Sequence, residues 1–346
     1  MTGSKVVLVT GAGGYIGSVL VPKLLNKGYK VKAVDRFFFG GEKLAPHPEL
    51  EIIQEDTRHL KLNHFRNVDY VIDLVAISND PSGEQFEEAT WQINYRSRVK
   101  TAELARRAGA KRYILPSSCS IYGFQNDIVD ETSPTNPLTI YAKANEKAEQ
   151  DVLKLASGNY VVTVMRQATI FGYSPRMRFD LAINGMTYGA YTSKRLPLMR
   201  DGNQYRPMLH VQDATDVMCL LLQADPAKVN GEVFNIGSEQ NTYQLGRLGK
   251  KIADTVGGQL GQEVAIEWYG DPDHRSYRVS FGKIEDKLGW RAQWSAEEGC
   301  REILLKLESG ELQKTTETIT LAWYQEMVKW HKIIKSAEMY GGILDI

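Results

Sequence analysis

Short apolar runs alternate with helical patterns through the first half of the chain. Runs of four to eight mostly apolar positions predict strands over residues 5–10, 29–34, 50–53, 68–75, 112–115 and 160–165. Longer stretches with apolar residues on one helical face predict helices over about 87–108 and 141–156. This alternation predicts an α/β fold, a doubly wound parallel sheet with helices on both faces.

The pattern changes in the second half of the chain. Gly, Pro, Arg and Met are frequent from 172 to 207, which predicts loops around one helix near 179–189. Two later strands, 208–211 and 232–236, are expected to return into the main sheet. We therefore predict a sheet domain of residues 1–171 plus about 207–238. Residues 172–206 and 239–346 would form a smaller C-terminal lobe, whose tail is predicted to be helical over 315–336.

Charge and composition exclude several classes of protein. The 42 basic and 42 acidic residues cancel, so nothing indicates a nucleic-acid or membrane partner. No apolar run reaches the roughly 18 residues that would span a bilayer. The three cysteines are far apart, which favours reduced thiols and a cytoplasmic protein. His210 and His274 have no second ligand at metal spacing, so we predict no metal site.

A glycine-rich loop follows the first predicted strand directly. Gly11, Gly14 and Gly17 let phosphates approach the backbone, and the start of the next helix offers free N–H groups to a pyrophosphate. Asp35 follows about 20 residues later, where an acid binds the ribose hydroxyls of NAD. The alternative is an ordinary strand–turn–helix unit with a surface aspartate. Together the features favour a Rossmann-like, NAD-binding fold, and Arg36 beside Asp35 leaves NADP open.

Three further segments follow in order along the chain. They are Ser-Ser-Cys-Ser-Ile-Tyr-Gly at 117–123, Pro-Leu-Thr-Ile-Tyr-Ala-Lys at 137–143, and Tyr-Arg-Pro-Met-Leu-His-Val-Gln-Asp at 205–213. With the glycine loop, they make the chain from Lys5 to at least Trp290 resemble the nucleotide-sugar epimerase/dehydratase family of extended short-chain dehydrogenase/reductases. The resemblance implies a nucleoside-diphosphate sugar substrate, held by the C-terminal lobe and reacting in the cleft beside NAD.

The resemblance also implies roles for individual residues. The catalytic positions are Tyr141, Ser118 and Asn145. The cofactor-binding positions are Gly11, Gly14, Tyr15, Ile16, Gly17, Asp35, Arg36, Asp56, Thr57, Leu74, Ala76 and Asn94. The substrate-binding positions are Ser120, Asn184, Arg206, Arg275 and Tyr277. The residue types at these positions suit the implied reaction, because a base must reach the sugar hydroxyl proton and the guanidinium fork of arginine matches phosphate oxygens.

One catalytic position departs from the family pattern. The family has Tyr-x-x-x-Lys, whereas this chain has Tyr141 followed by Asn145. That lysine bonds the nicotinamide ribose and lowers the tyrosine pKa, and neither Lys143 nor Lys147 lies on the same helix face as Tyr141. Three explanations remain open. Hydride transfer continues with the charge of oxidised nicotinamide sustaining the tyrosine, the chain performs a different step, or the asparagine is an inactivating substitution.

A second departure concerns the type of reaction. Family 4,6-dehydratases carry an Asp-Glu pair directly after the catalytic threonine, whereas this chain has Cys119 and Ser120. We therefore expect 4-epimerisation or 4-keto reduction rather than dehydration. The alternative is a binding protein for NAD and sugar nucleotides that has lost catalysis. By analogy with relatives, the helices over 87–108 and 141–156 are expected to form a homodimer interface.

Overall fold

The computed structural model describes residues 4–271, 275–339 and 342 of the chain. The strands are β1 Val6–Thr10, β2 Lys30–Asp35, β3 Leu50–Gln54, β4 Tyr70–Asp73, β5 Arg112–Ser118, β6 Phe124–Val129, β7 Val161–Gln167, β8 Thr169–Phe171, β9 Arg195–Met199, β10 Tyr205–His210, β11 Glu232–Ile236, β12 Thr242–Gln244, β13 Ala265–Tyr269 and β14 Ser276–Val279. The helices are α1 Gly17–Asn26, α2 Asp80–Gln85, α3 Glu87–Thr90, α4 Arg98–Arg107, α5 Ile140–Leu153, α6 Ala182–Ser193, α7 Val211–Gln223, α8 Pro226–Val229, α9 Leu245–Leu260, α10 Gly282–Leu288, α11 Ala296–Glu308 and α12 Thr320–Ala337.

Seven parallel strands form the main sheet, in the order β11-β7-β5-β4-β1-β2-β3. The chain runs outward from β1 through β2 to β3, then crosses to β4 and continues to the opposite edge. The strand order therefore reverses between β1 and β4, and ligands of such sheets bind beyond the carboxyl ends of the strands at this point. The predicted Rossmann-like α/β fold is confirmed.

Both faces of the sheet are covered by apolar residues. Along β1, Val7 and Val9 belong to one buried cluster and Leu8 to the other, because successive side chains of a strand point to opposite faces. Every residue of β7 is buried. Continuous burial of this kind explains why the central strands are apolar runs rather than alternating ones.

One expectation about the sheet is wrong. The strand predicted over 208–211 does not return into the main sheet. Its residues form the end of β10, which pairs with β8 in parallel and with β12 in antiparallel register. The reason is that β11 already fills the edge beside β7, while β8 leaves the sheet just after β7 and gives β10 a separate partner. The strand predicted over 232–236 does join the main sheet, as β11.

The long helix predicted over 87–108 is helical but not uniform. Between α3 and α4 the segment Trp91–Ser97 has π-helical hydrogen bonding. Such wider turns are uncommon in proteins, and those that exist are frequently found at functional sites. This one holds Asn94 and ends directly before Arg98, so it sets the direction of two side chains that the site uses.

A third apolar cluster lies outside the main sheet, among α6, α9, α11 and β9. The boundaries of the two lobes and the homodimer interface stay predictions. Across the described residues, no helix combines the length and apolar character needed to span a membrane.

Candidate functional site

A cleft of about 970 Å³ opens at the carboxyl ends of β1, β4 and β5. Its wall includes the glycine loop, the start of α5 and part of α12. Of the sequence-predicted residues, Asn94, Asn145 and Asn184 do not line the cleft. The remaining ones do: Gly11, Gly14, Tyr15, Ile16, Gly17, Asp35, Arg36, Asp56, Thr57, Leu74, Ala76, Ser118, Ser120, Tyr141, Arg206, Arg275 and Tyr277.

The glycine loop is closed tightly against the sheet. Gly11 has φ +64°, and a Cβ there would lie 2.8 Å from the backbone nitrogen of Val75. A Cβ on Gly17 would collide with the carbonyl groups of Gly11 and Ala12. Both positions therefore need glycine, and the loop keeps its backbone exposed to the cleft, as a dinucleotide cradle requires.

Asp35 fixes the far side of this loop. Its carboxylate accepts hydrogen bonds from the backbone N–H groups of Gly13 at 3.0 Å and Phe37 at 2.7 Å. Burial raises the pKa of Asp35, and these backbone hydrogen bonds act in the opposite direction. The acid predicted to hold the ribose is thus also a structural link between β2 and the glycine loop.

Two arginines surround Asp56. Arg58 donates from Nε at 3.0 Å and from Nη2 at 2.7 Å, while Arg36 donates from Nη1 at 3.1 Å. Partial burial acts to raise the pKa of Asp56, but the hydrogen bonds and charge of Arg58 outweigh it and lower that pKa to about 2. Arg36 is therefore engaged with Asp56, and Thr57 beside it hydrogen-bonds Ser97 at 3.1 Å.

Asn94 acts behind the wall of the cleft. Its Oδ1 accepts from the N–H of Ile77 at 2.8 Å, and its Nδ2 donates to the carbonyl of Ile77 at 2.9 Å. Since Ile77 follows the cleft-lining residues Leu74 and Ala76, this paired contact holds the segment after β4 in place.

Tyr141 lies in the first turn of α5, at the floor of the cleft. Thr139 caps this helix by accepting from the N–H of Ala142 at 3.2 Å. Ser118 at the end of β5 accepts from the N–H of Ser120 at 3.1 Å, which leaves its own hydroxyl hydrogen to be donated. Burial raises the pKa of Tyr141, whereas the charge of Arg98 and hydrogen bonding with Ser118 and Asn145 lower it.

Asn145, one turn further along α5, contacts a residue that sequence reasoning missed. The Nη1 of Arg98 donates to the Oδ1 of Asn145 at 2.9 Å. The remaining guanidinium donors bind backbone carbonyls: Nε that of Val75 at 3.0 Å, and Nη2 those of Asp73 at 3.2 Å and Pro116 at 3.0 Å. Arg98 and Asn145 are 2% and 1% exposed, respectively.

Three of the predicted substrate residues, Arg206, Arg275 and Tyr277, lie close together in the wall of the cleft. Arg206 packs over the ring of Tyr277, 5.0 Å from its centroid, and donates to the carbonyls of Tyr205 and Arg275. Arg275 in turn forms an ion pair with Asp80 of α2. Arg206, Arg275 and Asp80 therefore form a connected series of contacts from β10 to α2.

Asn184 is placed differently from a ligand-binding residue. It is buried, and its Nδ2 donates to the phenol oxygen of Tyr15 at 3.1 Å and to the carbonyl of Arg178 at 2.9 Å. Its Oδ1 accepts from the N–H of Gly172 at 2.9 Å. Asn184 therefore orders the 172–178 loop beside the cleft.

This loop brings two further arginines that the sequence reading did not single out. Arg178 forms an ion pair with Asp180 at 2.8 Å. Arg176 lies over the ring of Phe39, 3.5 Å from its centroid, and its Nε and Nη1 are buried with no hydrogen-bond partner among the described residues. Burial, together with the charge of Arg178, lowers the pKa of Arg176. Orphaned cationic donors beside a glycine cradle fit an anionic dinucleotide.

Helix α12 was also missed as a part of the site. Tyr324 lines the cleft and packs edge-on against Phe38 and Phe86, with centroid distances of 6.3 and 6.1 Å. Trp323 donates its indole N–H to the carbonyl of Phe38 at 2.6 Å. The sequence of α12 shows helical spacing, but nothing in that spacing indicates which surface of the protein the helix covers.

Histidines do not gather into a metal site within the described chain, where no group of three His, Cys, Asp or Glu residues is placed to bind an ion. His210 is buried, stacks on Trp294 with a centroid distance of 4.1 Å and pairs with Glu302 at 3.0 Å. His274 lies outside the described residues.

Comparison with known proteins places these features in a family context. The model of the NAD dependent epimerase/dehydratase family matches residues 7–237. The chain is 24% identical over 307 residues to a putative UDP-glucose 4-epimerase of Methanocaldococcus jannaschii, covering 86% of this chain and 97% of that protein. It is 26% identical over 306 residues to UDP-glucuronic acid decarboxylase 1 of Arabidopsis thaliana, covering 85% and 67%. The structure of MoeE5 in complex with UDP-glucuronic acid and NAD matches with 26% identity and a TM-score of 0.76, covering 89% of this chain and 100% of that one.

Proposed function

Because this chain belongs to the NAD dependent epimerase/dehydratase family, we propose that it uses NAD to transform a nucleoside-diphosphate sugar by reversible hydride transfer at C4. The family predicted from the motifs is confirmed, and the specific reaction is our proposal. The observation that supports it most is the position of Tyr141 and Ser118 in the same cleft as the glycine cradle. A base for a hydroxyl proton and a site for a hydride acceptor therefore share one space.

In this proposal Tyr141 takes the proton of the sugar 4-hydroxyl and Ser118 orients the same oxygen. NAD, when bound, supplies the acceptor and later the donor of the hydride. The residues that would hold it are the glycine loop, Asp35 and Arg176. Epimerisation follows if the 4-keto sugar rotates in the cleft, so that the hydride returns to the opposite face of C4.

Dehydration fits the geometry poorly. The thiol of Cys119 is buried and donates to the carbonyl of Arg166 at 3.2 Å, so it faces away from the cleft. Burial also raises the pKa of Cys119, which removes it further from acid–base chemistry. Ser120 is the remaining group at the acidic pair's position, and a hydroxyl is a weak acid. We therefore favour 4-epimerisation or 4-keto reduction.

The sugar nucleotide would lie between α5 and the C-terminal lobe. Arg206 and Arg275 suit a diphosphate. Buried polar atoms of Ser120, Gln167 and Gln204 have no hydrogen-bond partner among the described residues, and all three residues line the cleft. Such orphaned groups suit the hydroxyls of a sugar. Since the named relatives act on or bind UDP-sugars, a UDP-hexose or UDP-hexuronic acid is the first substrate to test.

The experiment is a conversion assay with UDP-glucose, UDP-glucuronic acid and UDP-N-acetylglucosamine in the presence of NAD. Chromatography that resolves C4 epimers should show one of these substrates converted, and the Tyr141→Phe variant should convert it about 10²–10⁴-fold more slowly. A second candidate function, a binding protein without turnover, is favoured by Asn145 at the lysine position. Tight binding of a UDP-sugar with no conversion of any substrate would support that second function.

A further inference from the structure

We propose that Arg98 and Asn145 together replace the lysine of the Tyr-x-x-x-Lys pattern, with Arg98 as a positioning residue that supplies the missing positive charge from a different helix. The inference rests on the proposed role of Tyr141 as the proton acceptor. It differs from the sequence-based explanations, in which the charge came from the cofactor or was lost.

The first step in the argument is the burial of the guanidinium. Arg98 is 2% exposed, and its guanidinium donates to Asn145 and to the backbone carbonyls of Val75, Asp73 and Pro116. All of these acceptors are neutral. A guanidinium held by neutral acceptors away from water keeps a long-range field, because solvent screens it little.

The second step is the orientation of the amide. A guanidinium only donates, so the Asn145 atom that contacts Nη1 of Arg98 must be the oxygen. The amide nitrogen then points away from Arg98. This Nδ2 is buried and has no hydrogen-bond partner of ordinary geometry in the described chain. Asn145 therefore has N–H donors left for Tyr141, which lies one turn earlier on the same helix.

The third step concerns the other charges around the pair. Asp73 on β4 lies near Arg98, but it is buried and accepts from Thr10 and from Tyr113 at 2.5 Å. Near Tyr141, the charge of Asp80 acts to raise the pKa of the phenol, against the effect of Arg98. Asp80 is itself paired with Arg275.

Further along α5, Glu149 is paired with Arg166 of β7 at 2.9 Å. Asp80 and Glu149 thus have arginine partners of their own, whereas Asp73 is bound by two hydroxyls and shares the charge of Arg98, which acts to lower its pKa. The positive charge of Arg98 is the largest of the influences that lower the pKa of Tyr141.

The fourth step explains why the residue at 145 is not lysine. An ammonium at this position would lie against the guanidinium of Arg98, and two adjacent buried cations repel strongly. Arginine at 98 and a neutral acceptor at 145 are therefore one compatible arrangement, and the asparagine is part of it rather than a sign of lost chemistry.

The test places 3-fluorotyrosine at position 141 and follows its single ¹⁹F signal against pH with NAD bound. Arg98→Met is expected to raise the apparent pKa of this residue by about one unit or more. Arg98→Lys should restore most of the parent value. Arg107→Met, at an exposed arginine of the same helix, is the matched control and should leave it unchanged.

An unchanged pKa in Arg98→Met, with parental circular dichroism and NAD content, would overturn the proposal. If that variant does not fold, the same titration of the double variant Arg98→Met with Asn145→Lys tests the proposal. It carries the cation at the family position and should titrate close to the parent, whereas a pKa raised by a unit or more would contradict us. Because the readout is a titration without substrate, it can succeed even if no sugar nucleotide is ever turned over.

Discussion

The two ends of the cleft are built in different ways. At the adenosine end, the glycine loop directly follows β1, Asp35 is the last residue of β2, and Asp56 lies two residues beyond β3. At the catalytic end, Ser118 at the end of β5 and Arg98 at the start of α4 both act to lower the pKa of Tyr141 on α5. The first end is a set of local motifs that a parallel sheet brings together, whereas the second is assembled from elements far apart in the chain.

On the proposed role of Arg98, the difference shows how a positive charge that acts on the catalytic tyrosine can be carried by another helix. At the adenosine end a change in one motif residue has no nearby substitute, because backbone shape itself forms the cradle. At the catalytic end the required property is an electrostatic field, which a residue on another helix can supply. We expect the two ends to respond differently to mutation.

The largest effect is expected for the base itself. Tyr141→Phe removes the proton acceptor and should lower kcat by about 10²–10⁴-fold while NAD content stays at the parental level. The measurement is steady-state turnover of the converted UDP-sugar together with the NAD released on denaturation. Parental turnover in this variant would mean that another group takes the proton.

A lysine in the asparagine position should be destabilising, although it restores the family pattern. Asn145→Lys places a second buried cation beside Arg98, and we expect a loss of about 2 kcal/mol or more in the free energy of unfolding. Asn145→Met is the matched control for side-chain length without charge. Equal urea midpoints for the two variants would argue against the charge conflict.

Sequence reasoning reached the two ends of the cleft unequally. The parallel sheet and the glycine loop followed from periodicity and local spacing, since both depend on neighbouring residues. Arg98 was not found, because its partner Asn145 lies 47 positions away and nothing in the sequence around the arginine indicates that it is buried. Helix α12 and Arg176 were missed for the same reason, since their site contacts are also long-range. The prediction that the strand over 208–211 joins the main sheet was wrong because its pairing partner, β8, was not predicted.

The adenosine end should be sensitive to a single methyl group. Gly11→Ala combines positive-φ strain with a Cβ only 2.8 Å from the backbone nitrogen of Val75, so we expect about 1–3 kcal/mol of destabilisation and lower NAD content. Gly28→Ala is the matched control, because Gly28 also has positive φ, +82°, but nothing within 4 Å of a Cβ. The control should show the strain without loss of NAD. Parental NAD content in Gly11→Ala would mean that the cradle tolerates displacement.

The smallest effect should come from acid titration at the same end. The pKa of Asp56 falls from 3.8 to about 2 in the folded chain, so its ionised form favours folding. That contribution is fully present above the unfolded pKa of 3.8 and is lost as pH falls through about 2. Because the site is open to solvent, we expect about 1 kcal/mol or less.

The measurement is the difference in unfolding free energy between the parent and Asp56→Asn, followed from pH 5 downward. This difference should shrink as the carboxylate is protonated, whereas a difference that does not vary with pH would assign the effect of Asp56 to shape rather than charge. The adenosine end would then depend on backbone geometry alone, and the contrast with the charge-dependent catalytic end would become sharper.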